Sequence, residues 1–141
     1  MADMANPETS VVIRAFNEQR DLPRLLEAIE EQSYRDYEVV VVDSGSYDRT
    51  RDIAIQHGAR LIRIDSRDFT FGYSLNVGVS GSRGKYIAIA SAHTEPLNSS
   101  WLSSLVEPLR QERVAMVYGR QLGTPMSKFS DIQDFRRLYP P

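Results

Sequence analysis

The residues able to do chemistry gather in three short polar stretches. Asn17-Glu18 follows residues 10–15, Asp43-Ser44-Gly45-Ser46 ends residues 37–43, and Ser91-Ala92-His93 with Glu95 follows residues 86–90. Each stretch comes directly after a run rich in β-branched or small apolar residues, which is where strands end. A carboxylate at Asp43, beside a Ser-Gly-Ser turn, can accept a hydrogen bond from a base N–H or a ribose hydroxyl. It can equally cap the next helix or stand in solvent. Glu18 and Asp43 at adjacent strand ends would make a polar pocket able to grip a ribose, whereas Glu18 alone would merely favour a helix dipole. His93 and Glu95 offer an imidazole and a carboxylate that can hold a divalent ion or face a diphosphate, or simply pair at the surface.

A fourth stretch, residues 67–76, places Gly72 close to a helix start with Thr70 and Ser74 beside it. That arrangement lets backbone N–H groups approach a phosphate, or does no more than begin a helix. Phe69 and Phe71 read as core or lid aromatics. His57 falls near a helix C-terminus, where it suits the dipole, and Arg83 and Lys85 read as a solvated helix exit. The chain has no Gly-rich loop followed by Lys-Ser/Thr and no Gly-x-Gly-x-x-Gly, so mononucleotide hydrolases and dinucleotide oxidoreductases lack support.

These stretches need a scaffold, and the alternation of apolar patterns supplies one. Strands are expected at 10–15, 37–43, 60–64, 86–90 and 114–118. The valines from Val39 to Val42 mark a strand buried on both faces, as in a parallel sheet covered by helices. The helix after the first strand starts at a cap on Asp21, carries Pro23 in its first turn and repeats Leu22, Leu25, Leu26 and Ile29 at helical spacing. Asp48 or Thr50 caps the next, which Gly58 ends. A loop from 65 to 72 leads to a helix bearing Leu75 and Val79 that Gly84 closes. A further helix holds Trp101, Leu102, Leu105 and Leu109. The expected fold is α/β: an open, mainly parallel sheet with helices on both faces. In such sheets ligands bind outside the carboxyl ends of the strands, where strand order reverses.

Composition narrows the class. With 141 residues, 41% of them hydrophobic, the chain can bury one sizeable core. It has no Cys, which excludes disulfides and thiolate metal sites. A formal net charge of -2 gives no pull toward nucleic acid. No apolar run approaches the roughly 20 residues of a spanning helix, so a cytoplasmic setting is expected. Residues 1–9 read as a loose leader and 122–141 as an irregular tail.

Taken in order, Ser10-Val-Val-Ile-Arg-Ala-Phe-Asn-Glu18, Tyr34-Arg-Asp-Tyr-Glu-Val-Val-Val-Val-Asp-Ser-Gly-Ser-Tyr-Asp-Arg-Thr50, Asn76, Gly84-Lys-Tyr-Ile87 and Trp101-Leu102 resemble glycosyltransferase family 2, inverting enzymes of the Rossmann-like GT-A fold. The resemblance covers residues 10–121, the nucleotide-sugar-binding half of such an enzyme. It implies a nucleotide-sugar donor, an acceptor glycan or lipid-linked glycan, and a role in cell-surface polysaccharide synthesis, peripheral at the inner face of the membrane. By position it implies that Ala15, Phe16 and Glu18 border the base and ribose and that Asp43 contacts the base. Thr70, Phe71 and Gly72 fall where the family approaches the diphosphate, and Asn76 matches a residue common in that helix. The family's usual Asp-x-Asp holds Mg²⁺ or Mn²⁺. Here Ser91-Ala92-His93 replaces it, in a form similar to a rhamnosyltransferase-like subgroup. Ala92 then lies in the nucleotide site and His93 stands at the metal-binding position, where an imidazole suits Mn²⁺ better than Mg²⁺. The family's general base lies in a later acceptor-binding half, so no catalytic residue is expected in this chain, which would bind nucleotide without transferring sugar. Apolar surface left near 114–118 would favour a homodimer.

A signalling module is the competing reading. In it Asp43 would be the phosphoacceptor of a receiver-like domain, although such domains want paired acids after the first strand and a Lys after the fifth.

Overall fold

Short β-branched runs alternate with amphipathic stretches, and a computed structural model, which describes residues 6–125 and 127–139, shows them folded accordingly. The order is β1 (Thr9–Ala15), α1 (Leu22–Glu30), β2 (Tyr37–Asp43), α2 (Thr50–Gln56), β3 (Arg60–Arg63), a 3-10 turn (Ser66–Asp68), α3 (Phe71–Gly81), β4 (Tyr86–Ser91), α4 (Trp101–Leu109) and α5 (Phe129–Leu138). The four strands form one parallel sheet in the order β3-β2-β1-β4. Strand order therefore reverses between β1 and β4, which is the switch point of the sheet.

The sheet is covered on both faces. Val11, Ile13, Ala15 and Val41 point to one side and meet Leu22, Leu25, Leu26 and Ile29 of α1, Ile53 and Ala54 of α2, and Leu102 and Val106 of α4. Each fully buried Leu or Ile of the α1 stripe contributes about 1.5–3 kcal/mol over an exposed one. On the other face Val12, Val40 and Val42 form a smaller cluster with Ile62, Ile64 and Ile87. There α3 approaches so closely that a Cβ on Gly78 would come within 2.5 Å of Val12 Cγ1 and 2.9 Å of Val42 Cγ2. Gln32, 1% exposed, ties the helices of the first face together. Its amide donates to the Ala28 and Asn98 carbonyls, both at 2.9 Å, and its Oε1 accepts the Leu102 N–H at 2.9 Å.

Several local expectations are corrected. Residues 114–118 pair with no strand among the described residues, because β propensity holds a strand only where an edge lies alongside. Of the expected leader, 1–5 lie outside the described residues. Thr9 belongs to β1, and Glu8 is tied down by Tyr34 and Arg110. The tail is not irregular throughout, since it carries α5. Asp21 sits at the N-cap of α1 but makes no capping bond, its carboxylate pairing instead with Arg24 at 3.2 Å. Gly84 does not close α3, which ends at Gly81. A Cβ at Gly84 would meet Ser10 N at 2.4 Å, so it is glycine because the backbone crosses the start of β1. No helix of the described residues is long and apolar enough to cross a membrane.

Candidate functional site

The loop after β1 is built first. Asn17 takes a left-handed conformation, φ 55°, which Asn tolerates better than most residues. The turn exposes a run of amides that the loop after β2 accepts one by one. Asn17 N–H donates to Ser46 Oγ at 2.9 Å, Glu18 N–H to Thr50 Oγ1 at 2.7 Å, and Gln19 N–H to Asp48 Oδ2 at 3.1 Å. In return Tyr47 N–H donates to Asn17 Oδ1 at 3.0 Å. The N-cap of α2 is Arg49, without a side-chain capping bond, rather than Asp48 or Thr50; Asp48 lies one residue earlier, its Oδ1 accepting the Thr50 N–H at 2.9 Å and the Thr50 hydroxyl at 2.5 Å. Burial pushes its carboxyl up, but these hydrogen bonds outweigh that and hold it below the usual aspartate value.

Zipped together, the loops form one wall of a cleft of about 110 Å³ at the carboxyl edge of the sheet. It is lined by Arg14, Ala15, Phe16, Glu18, Ser44, Phe69, Phe71, Ser91 and His93. The ends of β1 and β2, the approach to α3 and the end of β4 thus converge at the switch point. Glu18 and His93 face each other across it, Oε1 to Nδ1 at 3.4 Å, with Ser91 Oγ 3.2 Å from His93 Nε2. Phe69 and Phe71 pack edge to face, centroids 5.4 Å apart, and Arg14 Cζ lies 4.6 Å over the Phe71 ring.

Of the residues singled out in the sequence, Ala15, Phe16, Glu18, Ser44, Phe69, Phe71, Ser91 and His93 line the cleft. Asp43 does not. It is fully buried, and its carboxylate accepts the Gly45 N–H at 3.2 Å and the Ser46 N–H at 3.1 Å, so it shapes the turn that presents Ser44. It is thus not solvated, nor open to a base in this geometry. Thr70 is the N-cap of α3, its Oγ1 accepting the Tyr73 N–H at 3.0 Å. Gly72 lies inside the first turn of α3 rather than before it, and Asn76 is exposed one turn on, away from the cleft. Ala92 is buried in the core and anchors the stretch that carries His93. Glu95 is exposed and leaves His93 to Glu18. Arg14 was not foreseen, and Ser44 was read only as part of a turn. The signal for Arg14 was a lone charge inside an apolar strand.

A receiver-like role for Asp43 falls with this geometry. A phosphoacceptor must meet its donor in line, and this carboxylate is enclosed and already engaged. A larger cavity, about 370 Å³, opens beside the opposite edge of the strands. Its charged groups are largely satisfied among themselves, Glu38 by Arg60, Ser10 and the Arg83 N–H, and Glu30 by His57. Burial raises the Glu38 carboxyl, and these hydrogen bonds more than reverse that.

As a metal site the cleft is incomplete. Among the described residues no three His, Cys, Asp or Glu side chains come together. Glu18 and His93 provide one oxygen and one nitrogen, a pair that fits Mn²⁺ where phosphate oxygens complete the shell and suits Mg²⁺ less well.

Comparison with known proteins bears on this cleft. A family model described as Glycosyl transferase family 2 matches residues 10–139. Glycosyltransferase AglE of Haloferax volcanii is 31% identical over 119 residues, covering 80% of this chain and 39% of its own length. The dolichyl-phosphate beta-glucosyltransferase of Homo sapiens is 31% identical over 104 residues, covering 64% of this chain and 32% of its own. Among solved structures, the mannosyltransferase PcManGT from Pyrobaculum calidifontis, in complex with GDP-Man and Mn²⁺, superposes with a TM-score of 0.69. It is 25% identical, over 77% of this chain and 34% of that one. The chain spans 26–39% of the length of the curated relatives it matches first.

Proposed function

The chain belongs to glycosyl transferase family 2, and from that premise we propose that it forms the donor-binding half of a transferase moving a sugar from a nucleoside diphosphate to an acceptor hydroxyl with inversion. The observation that carries this is the convergence of Ala15, Phe16, Glu18, Ser44, Ser91 and His93 on one cleft at the switch point. That PcManGT holds GDP-Man and Mn²⁺ on a similar fold supports the same ligand class here.

In this reading Ala15, Phe16 and Glu18 border the base and ribose. Asp43 acts through the 44–46 turn it holds, and contact with a base would require that turn to open. The diphosphate lies toward the start of α3, where Thr70 and Gly72 belong to the first turn and helix N-terminal amides favour an anion. Asn76 lies a turn further along α3, and Ala92 seats the stretch leading to His93. His93 and Glu18 would hold a divalent cation, which supplies charge neutralisation to the departing diphosphate. The acceptor hydroxyl attacks the anomeric carbon, the bond to the diphosphate breaks, and a base takes the hydroxyl proton. That base, and the acceptor site, belong to the part of the longer relatives without a counterpart in these 141 residues.

A lipid-linked acceptor, and with it a place at the inner face of the membrane, is supported by the names of the human and mouse dolichyl-phosphate beta-glucosyltransferases. A homodimer is favoured by the exposed Ile89, Met116, Tyr118 and Leu122, and light scattering across concentration tests it. The donor reading is tested by thermal shift with UDP, GDP, dTDP or CDP, each with Mn²⁺, Mg²⁺ or chelator. A nucleotide at a hundred times its Kd adds about 2.7 kcal/mol, a rise of several degrees. If none of the twelve combinations moves the melting temperature, the chain is not a donor-binding half.

A further inference from the structure

We propose that Arg14, with the Ser44 hydroxyl beside the same cleft, is the residue that grips the diphosphate of the donor, a role that rests on the donor-binding reading above. Two buried side-chain polar atoms among the described residues lack a hydrogen-bond partner, Arg14 Nε and Ser44 Oγ. Both residues line the cleft at the switch point, and Ser44 is only 3% exposed. Buried polar groups in folded proteins are nearly always paired, so two orphans on one cavity mark where ligand atoms go.

The chemistry of Arg14 narrows the ligand. A guanidinium only donates, so its partner is an acceptor, and its positive charge favours an anionic one. Phe71 lies against the group at 4.6 Å, and guanidinium N–H groups offer the forked contact that oxyanions accept. Arg14 forms no ion pair among the described residues. Glu18, the carboxylate of the cleft, is turned to His93. The strand explains the placement: Arg14 follows Val12 on the α3 face of the sheet, one step past the valine cluster, where the helix N-terminus adds positive potential. Arg14 would add a fixed positive charge beside the diphosphate to whatever neutralisation a cation held by Glu18 and His93 would supply.

The test uses the whole chain, as wild type, Arg14→Met and Arg14→Lys. UDP, UMP, uridine, GDP, GMP, guanosine and inorganic pyrophosphate are titrated calorimetrically, and circular dichroism reports folding. Wild type should bind the diphosphates and pyrophosphate. Arg14→Met should weaken both at least tenfold, leave uridine and guanosine within twofold, and leave the spectrum unchanged; Arg14→Lys should recover part of the loss. Undiminished diphosphate affinity in Arg14→Met overturns the assignment, as does an equal loss for nucleosides. If Arg14→Met fails to fold, Arg14→Lys and Ser44→Ala decide on the same ratio of diphosphate to nucleoside. Pyrophosphate binding without any nucleotide preference would keep Arg14 as an oxyanion site and refute the donor reading. Binding of nucleosides and diphosphates alike by wild type would keep a nucleotide cleft and refute the role of Arg14.

Discussion

Thr50 Oγ1 accepts the backbone N–H of Glu18 at 2.7 Å, so a hydroxyl at the start of α2 holds the loop that follows β1. Thr50 is itself fully buried and held by Asp48. The wall of the cleft is therefore set by side chains some 30 residues further along the chain.

Thr50→Val keeps the shape and removes the hydroxyl. It leaves the Glu18 amide without its acceptor, at an expected cost of about 1–3 kcal/mol. Urea unfolding should show the loss. Nucleotide affinity should fall with it, because Glu18 is no longer held against the cleft. An unchanged midpoint would mean that water replaces the hydroxyl freely.

Asp43→Asn retains one acceptor oxygen for the 44–46 turn and should cost less stability than Asp43→Ala, which strands the Gly45 and Ser46 amides at about 1–3 kcal/mol. Base preference across UDP, GDP, dTDP and CDP should survive Asp43→Asn. A switch of preferred base would show that Asp43 reaches the base directly.

Acid should loosen the tie between Glu8 and Arg110. Hydrogen bonds from Arg110, then Tyr34, hold the Glu8 carboxyl at about 2 against an ordinary 4.5. A lowered folded pKa contributes stability above the unfolded value, and that contribution drains away as pH falls from about 4.5 to about 2. Arg110→Ala should flatten stability over that window. At pH 7 it should cost under about 1 kcal/mol, because the Arg110 side chain is 49% exposed.

Gly78→Ala gains about 1 kcal/mol of helix propensity on an exposed surface. Here it should instead destabilise by about 1–3 kcal/mol, since the methyl meets two stiff, buried valines, Val12 and Val42. The same change at Gly72, which has nothing within 4 Å, should be neutral or stabilising. Chemical denaturation of both variants separates packing from propensity.

His93→Asp returns an oxygen ligand to the cleft beside Glu18. Nucleoside diphosphate binding should then respond to Mg²⁺ as well as Mn²⁺, whereas wild type should favour Mn²⁺. Titration with and without chelator reads this, and identical metal preference in both proteins would remove His93 from the metal site.

Much of this protein could be read in one dimension. Parallel α/β architecture, the doubly covered valine strand, the α1 stripe and the strand-end location of Glu18 and His93 follow from periodicity and from punctuation by Gly, Asp and Thr, which are local physics. Residues 114–118 show the limit of that reading: their composition suits a strand, but a strand also needs a neighbour, and a neighbour is a tertiary fact. The same holds at Asp43, whose type and position are those of a ligand contact, while its burial and its bonds to Gly45 and Ser46 depend on how the turn folds back. Gly84, where β1 passes, is a further case.

What only the fold decided is which polar groups end without partners. Sequence places Arg14 inside an apolar strand, but nothing along the chain says that Phe71, 57 positions later, will cover its face, or that Ser44 will join it unpaired. Pairing is settled by distances of about 3 Å between segments remote in sequence, and that information exists once the sheet has closed β1 against both β2 and β4.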